Sequence, residues 1–229
     1  MTTSTLSFLA LGFVIGIRHA LDADHVAAVV SLATRGGTIA RQARQGALWG
    51  LGHTATLLVA GGGCILLGVT IPEMAERWLE AAVGAMLVGL GVSVFVRIRK
   101  QRIHFHAHEH EGGLAHFHAH RHDHGAGHAH AHHRVSLQAL LVGAVHGLAG
   151  SAALVLVIAQ TAQTPALGLL CIALFGMGSI LGMMALAAAI ALPLSATARL
   201  RGRFHAILCG SAGAFSVLLG AKMLWIFAS

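Results

Sequence analysis

Near the start of the chain, Arg18, His19, Asp22, Asp24 and His25 put five ionisable or metal-liganding side chains into eight positions. The string is Gly16-Ile17-Arg18-His19-Ala20-Leu21-Asp22-Ala23-Asp24-His25. Neutral imidazole is a ligand for nickel, cobalt, zinc and copper, and a neighbouring carboxylate adds charge neutralisation. Sodium and calcium sites rely on oxygen ligands instead. On a regular helix turning about 100° per residue, Arg18, Asp22 and His25 share a face, His19 lies at its edge, and Asp24 points to the opposite side. Arg18 and Asp22, four apart, are spaced to pair. A regular helix therefore cannot bring His19, Asp24 and His25 onto one ion unaided. Either it unwinds here or other segments complete the site, as in the broken helices of transporters. A buried ion pair and a proton relay through His19, Asp22, Asp24 and His25 are the competing readings of the same residues.

Two further histidines are candidates. His53, in Leu51-Gly52-His53-Thr54, lies in an apolar run beside small residues that allow close approach. His146 lies in Val145-His146-Gly147-Leu148-Ala149-Gly150-Ser151. For each, a hydrogen bond between helices is the alternative to metal ligation. Ser151 and Ser179 are weaker candidates for lining a path. Cys64, Cys171 and Cys209 each lie alone in an apolar run and read as small core residues.

The elements that must position these groups are apolar. Of the 229 residues, 56% are hydrophobic and 10% charged, with a mean hydropathy of +0.75. Soluble domains carry about 25% charged residues, so the composition indicates an all-α, polytopic membrane protein. Ionisable groups at membrane depth are costly and mark a substrate or ion path. At about 20 apolar residues per crossing, six spans are expected, near 6–33, 46–69, 78–96, 136–160, 166–193 and 205–227. The run before Arg18 has no basic flank at its start, so no cleaved signal peptide is expected.

The net charge of +7 falls into short clusters between apolar runs, which excludes a nucleic-acid reading. Arg35, Arg41 and Arg44 lie in the first connection, Arg97 to Arg134 in the third, and Arg199, Arg201 and Arg203 in the fifth. The second holds Glu73, Glu76 and Glu80 against Arg77. The basic connections are expected on the cytoplasmic side of the cell membrane, with both termini outside.

A weak internal repeat runs through the chain. Gly16-Ile17-Arg18-His19-Ala20-Leu21 lines up with Gly143-Ala144-Val145-His146-Gly147-Leu148. Trp49-Gly50-Leu51-Gly52-His53 lines up with Phe175-Gly176-Met177-Gly178-Ser179, and Gly84 and Gly91 with Gly213 and Gly220. The three matches fall in the same order and need nearly the same offset. The expected plan is a 3+3 inverted repeat, with the substrate site near the midplane between the halves. Residues 1–103 and 135–229 form the two repeats, and 104–134 a cytoplasmic loop. That loop holds thirteen of the eighteen histidines, between His104 and His133. It has little apolar content to build a core and is expected to be disordered. By composition it binds divalent metal.

The motifs resemble the nickel/cobalt transporter (NiCoT) family. Its signature, a histidine followed after four residues by Asp-His inside a transmembrane helix, matches His19, Asp24 and His25 in the string RHALDADH. Its Leu-Gly-His motif with a following hydroxyl residue is similar to Leu51-Gly52-His53-Thr54. Typical members have eight spans and a later acidic Phe-Asp-Thr-type motif. This chain lacks both and looks like the short, urease-associated UreH-like branch. The resemblance implies carriage of Ni²⁺ and Co²⁺ across the cytoplasmic membrane. His19, Asp24, His25 and His53 would then be substrate-path residues, with Asp22 assisting.

The expectation from sequence is a secondary carrier for Ni²⁺, with Co²⁺ as a second substrate, working as an importer. The metal set is His19, Asp22, Asp24, His25, His53 and His146. No cofactor is expected beyond the transported ion, and no nucleotide-binding motif is present. The expected partners are a transition-metal ion, the lipid bilayer and a cytoplasmic metallochaperone. The alternatives are a nickel/cobalt exporter, an intramembrane metalloenzyme and a metal sensor. The HExxH string of zinc hydrolases is absent.

Overall fold

The structure, a computed structural model, describes residues 3–101, 128–149, 157–158, 160–199 and 203–229. Among them every regular element is a helix: α1 (Thr3–His19), α2 (Ala23–Ala33), α3 (Ile39–Leu67), α4 (Glu73–Gln101), α5 (His128–Ala149), α6 (Pro165–Arg199) and α7 (Arg203–Ala228).

The expected first span is not one helix. After His19 the chain closes a tight turn, with the Leu21 N–H donating to the Arg18 carbonyl (2.9 Å) and the Asp22 N–H to the His19 carbonyl (3.1 Å). Asp22 then takes an extended backbone (φ −62°, ψ 148°) from which α2 starts. The axes of α1 and α2 differ by 51°. Helix α3 has conventional ends. The Thr38 hydroxyl accepts the Arg41 N–H at its start, and Gly68 at φ +64° closes its end.

Helices α3, α4, α6 and α7 are long and apolar enough to cross a membrane, and the bent α1–α2 pair makes a fifth candidate. Exposed apolar side chains such as Val59, Leu66, Leu218 and Trp225 cover their outer faces. The chain is a multi-pass membrane protein. The fourth expected span, 136–160, is represented by Leu137–Ala149 in α5, too short alone to cross, and residues 150–156 lie outside the described residues. Most of the histidine-rich tract, 104–127, lies outside them as well. Its last residues, His128 to His133, were expected in a disordered loop, but their backbone forms the first turns of α5.

Helix α3 runs along α5 and α6, α1 along α6, and α4 along α7, while α2 wedges against α4, α6 and α7. Glycines make these contacts backbone-close. A Cβ on Gly16 would strike the Phe175 carbonyl, and one on Gly143 the Trp49 carbonyl. A Cβ on Gly52 would meet the carbonyl of Leu140, and one on Gly178 that of Phe13. Gly84 abuts the backbone of Gly220, as Gly91 does that of Gly213. Serines add a polar tie between α2 and α7. The Ser216 hydroxyl donates to the Ala27 carbonyl (2.7 Å), so the Ser31 hydroxyl donates to Ser216 (2.8 Å).

Candidate metal site

Five histidines lie outside the histidine-rich tract, and four of them converge at the α1–α2 break. His19 ends α1, His25 sits in the first turn of α2, and His53 and His146 arrive from α3 and α5. The His19 and His25 ring centres are 4.5 Å apart, as are those of His25 and His146. His53 lies 5.2 Å from His19 and 5.4 Å from His25. His25, His53 and His146 are all but sealed from the surface, at 0%, 1% and 1% exposure.

The two carboxylates hold three of these rings, His19, His25 and His146, by one edge. His19 Nδ1 lies 2.7 Å from Asp22 Oδ2, and His25 Nδ1 lies 3.0 Å from Asp24 Oδ1. The second oxygen of Asp24 is 3.1 Å from His146 Nε2. An ionised carboxylate only accepts, so in each contact the ring nitrogen donates and its other nitrogen keeps a free lone pair. His25 Nε2 and His146 Nδ1 are buried with no partner, as is His53 Nδ1. Buried polar atoms left unpaired are rare in folded proteins. One donor atom each from His19, His25 and His53 falls within 4.8 Å of the other two. The same holds for Asp24, His25 and His146, so His25 belongs to both groups. Carboxylates that orient imidazoles in this way are the usual outer layer of a transition-metal site.

The chain is 34% identical over 227 residues to the urease accessory protein UreH of Bacillus sp. (strain TB-90), covering 96% of this chain and 91% of that protein. The chain belongs to the UreH family. No family model matches it, and no solved structure does.

All six residues expected at the site of this UreH-family chain lie at one place, though not as a regular helix would arrange them. The break at residues 20–22 turns Asp24, placed by helical geometry on the far side, toward His25 and His146. The expected Arg18–Asp22 pair is absent among the described residues. Arg18 is exposed, and Asp22, itself half exposed, bonds His19 instead. Ser151 lies outside the described residues, and Ser179 is fully buried with its hydroxyl unpartnered.

Sequence reasoning missed two walls of the site. The Trp49 ring stacks on His25 at 5.6 Å and lies 5.5 Å from His146, with its indole N–H buried and unpartnered. Phe175 lies 5.3 Å from His19. The available signal was the repeat, which aligns Trp49 with Phe175 and His146 with His19.

Proposed function

We propose that this chain is a secondary carrier that takes up Ni²⁺, and Co²⁺ with it, across the cytoplasmic membrane. The observation that carries this reading is the convergence of His19, His25, His53, His146 and Asp24, with three buried ring nitrogens left free. Four imidazoles and a carboxylate suit a borderline transition-metal dication and not Na⁺, Mg²⁺ or Ca²⁺. The relative in Bacillus is named for urease, which fits a nickel substrate. Inward transport is favoured by the membrane potential, each charge gaining about 2.3 kcal/mol per 100 mV. In this reading the ion sits against free nitrogens of His19, His25 and His53, while Asp22 and Asp24 orient the rings. Asp24, His25 and His146 form an adjoining second station.

The packing supports six spans built as a 3+3 inverted repeat. In a two-fold arrangement, if residue i touches j, the repeat partner of j touches the repeat partner of i. Gly16 meets Phe175 and Gly143 meets Trp49, which are partners in both positions. Gly84 meets Gly220 and Gly91 meets Gly213, again each other's images. Gly182 meets Ala20 while Gly147 meets Thr56, in the same relation. The acids break the symmetry. Asp22 and Asp24 align with Ala149 and Ser151, so the orienting carboxylates come from the first half alone. The basic connections, including the histidine-rich loop, face the cytoplasm in this arrangement, and a metallochaperone there is the expected recipient.

The test is accumulation of radiolabelled nickel at nanomolar metal in cells expressing the chain, against empty vector. Accumulation above the vector is expected. Accumulation below it would reverse the direction to export, and no difference would remove nickel as the substrate. Asp22→Asn keeps the size of the side chain but weakens its hold on His19. It is expected to lower the apparent affinity for nickel uptake about tenfold with unchanged protein in the membrane. An unchanged affinity would remove Asp22 from the site.

A further inference from the structure

At the end of the bundle opposite Glu73, Glu76 and Glu80, two arginines share a groove with no counter-charge among the described residues. Arg35 follows α2 and Arg97 lies near the end of α4. With Gly89, Val92, Ser93 and Val96 they line an open cavity of about 620 Å³. Both are about half buried, and their positive charges repel each other. Their partners are neutral. Arg35 donates to the Gln138 side-chain oxygen (2.6 Å), and Arg97 to the Thr34 hydroxyl (2.8 Å) and the Ser31 carbonyl (3.2 Å). Arg35 Nε is buried with no acceptor among the described residues.

No described carboxylate answers them. Asp24 is engaged by His25 and His146, and Asp22 by His19. Glu80 precedes Arg97 by seventeen residues on α4, about 25 Å along the helix. The groove then continues into apolar surface. Val92 and Val96 are exposed on α4 at 47% and 45%, and a Cβ on Gly89 would meet nothing within 4 Å. Two guanidinium groups beside an open apolar channel, on a helix long enough to span a membrane, match one class of ligand. Basic pockets between membrane helices take lipid headgroups. We propose that the groove between Arg35 and Arg97 binds an anionic phospholipid, its phosphodiester against the two guanidinium groups and an acyl chain along Gly89, Val92 and Val96. The site is separate from the histidine cluster and does not depend on which ion is carried.

The test is native mass spectrometry of the full chain in nonionic detergent, offered phosphatidylglycerol or phosphatidylcholine at equal concentration. The wild-type chain is expected to retain phosphatidylglycerol in preference, with Arg35→Gln and Arg97→Gln each reducing that preference about fivefold. In Gly89→Leu the new Cβ meets nothing within 4 Å, at a residue that lines the channel. This variant is expected to lower phosphatidylglycerol retention while the circular-dichroism spectrum stays that of the wild type. Inorganic phosphate is expected not to displace the lipid. Equal retention of the two lipids by the wild-type chain would overturn the proposal, as would a preference untouched by folded arginine variants. Should those variants fail to fold, full retention in Gly89→Leu would overturn it. Displacement by inorganic phosphate would replace the lipid with a free-anion site.

Discussion

His25→Ala is expected to bring cellular nickel accumulation down to the empty-vector level, with normal amounts of protein in the membrane. Both groups of ligand atoms include His25, so its loss leaves neither with three donors. It also removes a partner of Asp24, whose other oxygen then holds His146 alone. The variant leaves a void against Trp49, whose ring stacks on the imidazole. His53→Ala and His146→Ala make the comparison informative. Each removes a member of only one group, leaving three residues of the other in place. Those variants are expected to retain partial uptake, reduced about 10- to 100-fold in apparent affinity. Equal loss in all three would mean that the two groups act as one site. Normal uptake by His25→Ala would place the ion path elsewhere.

The second large effect is on folding. Gly16→Val is expected to destabilise the protein by about 3 kcal/mol, near the upper end of overpacking costs. The added carbon would strike the carbonyl and α-carbon of Phe175, and backbone inside a packed helix cannot turn aside as a side chain can. Gly143→Val should behave alike, because its obstacle is the backbone of Trp49. Phe175 and Trp49 are also the aromatic walls beside His19, His25 and His146, so pushing either helix away opens the site. Gly89→Ala is the control. Its new methyl group meets nothing within 4 Å, and the change is expected to stay within about 0.5 kcal/mol. Thermal unfolding in detergent, read as loss of monodisperse protein, separates the three. Gly16→Val melting with the wild type would mean that α1 does not press on α6 as described.

The residues of the candidate site were legible because polar residues in an apolar run stand out by cost alone. His19, Asp24, His25 and His53 needed no knowledge of the fold to be singled out. His146 was visible only as the repeat image of His19. What each acid does was not legible. Assigning Asp22 to Arg18 followed from a continuous helix, and nothing at Ala20 or Leu21, neither glycine nor proline, signals the break. The structure ends the helix there and lets Asp22 reach back three residues to His19. Trp49 was hidden for the opposite reason to the histidines. An aromatic ring in an apolar span costs nothing, so only its contacts reveal it. The fourth span, 136–160, has its middle outside the described residues, and the composition that placed it there has no counterpart to compare with.

The 51° break between α1 and α2 has a mechanical meaning. His19 rides on α1, which lies on α6, whereas His25 rides on α2, which is braced against α4 and α7 as well. The joint at residues 20–22 is thus the elbow of a pair of tongs, with one imidazole on each jaw. Opening the elbow lengthens the gap between the two rings and slackens their grip on whatever lies between them. Closing it tightens the grip. Under the proposed function, the 51° angle sets the spacing of the two rings, so any change in that angle is a change in the site itself.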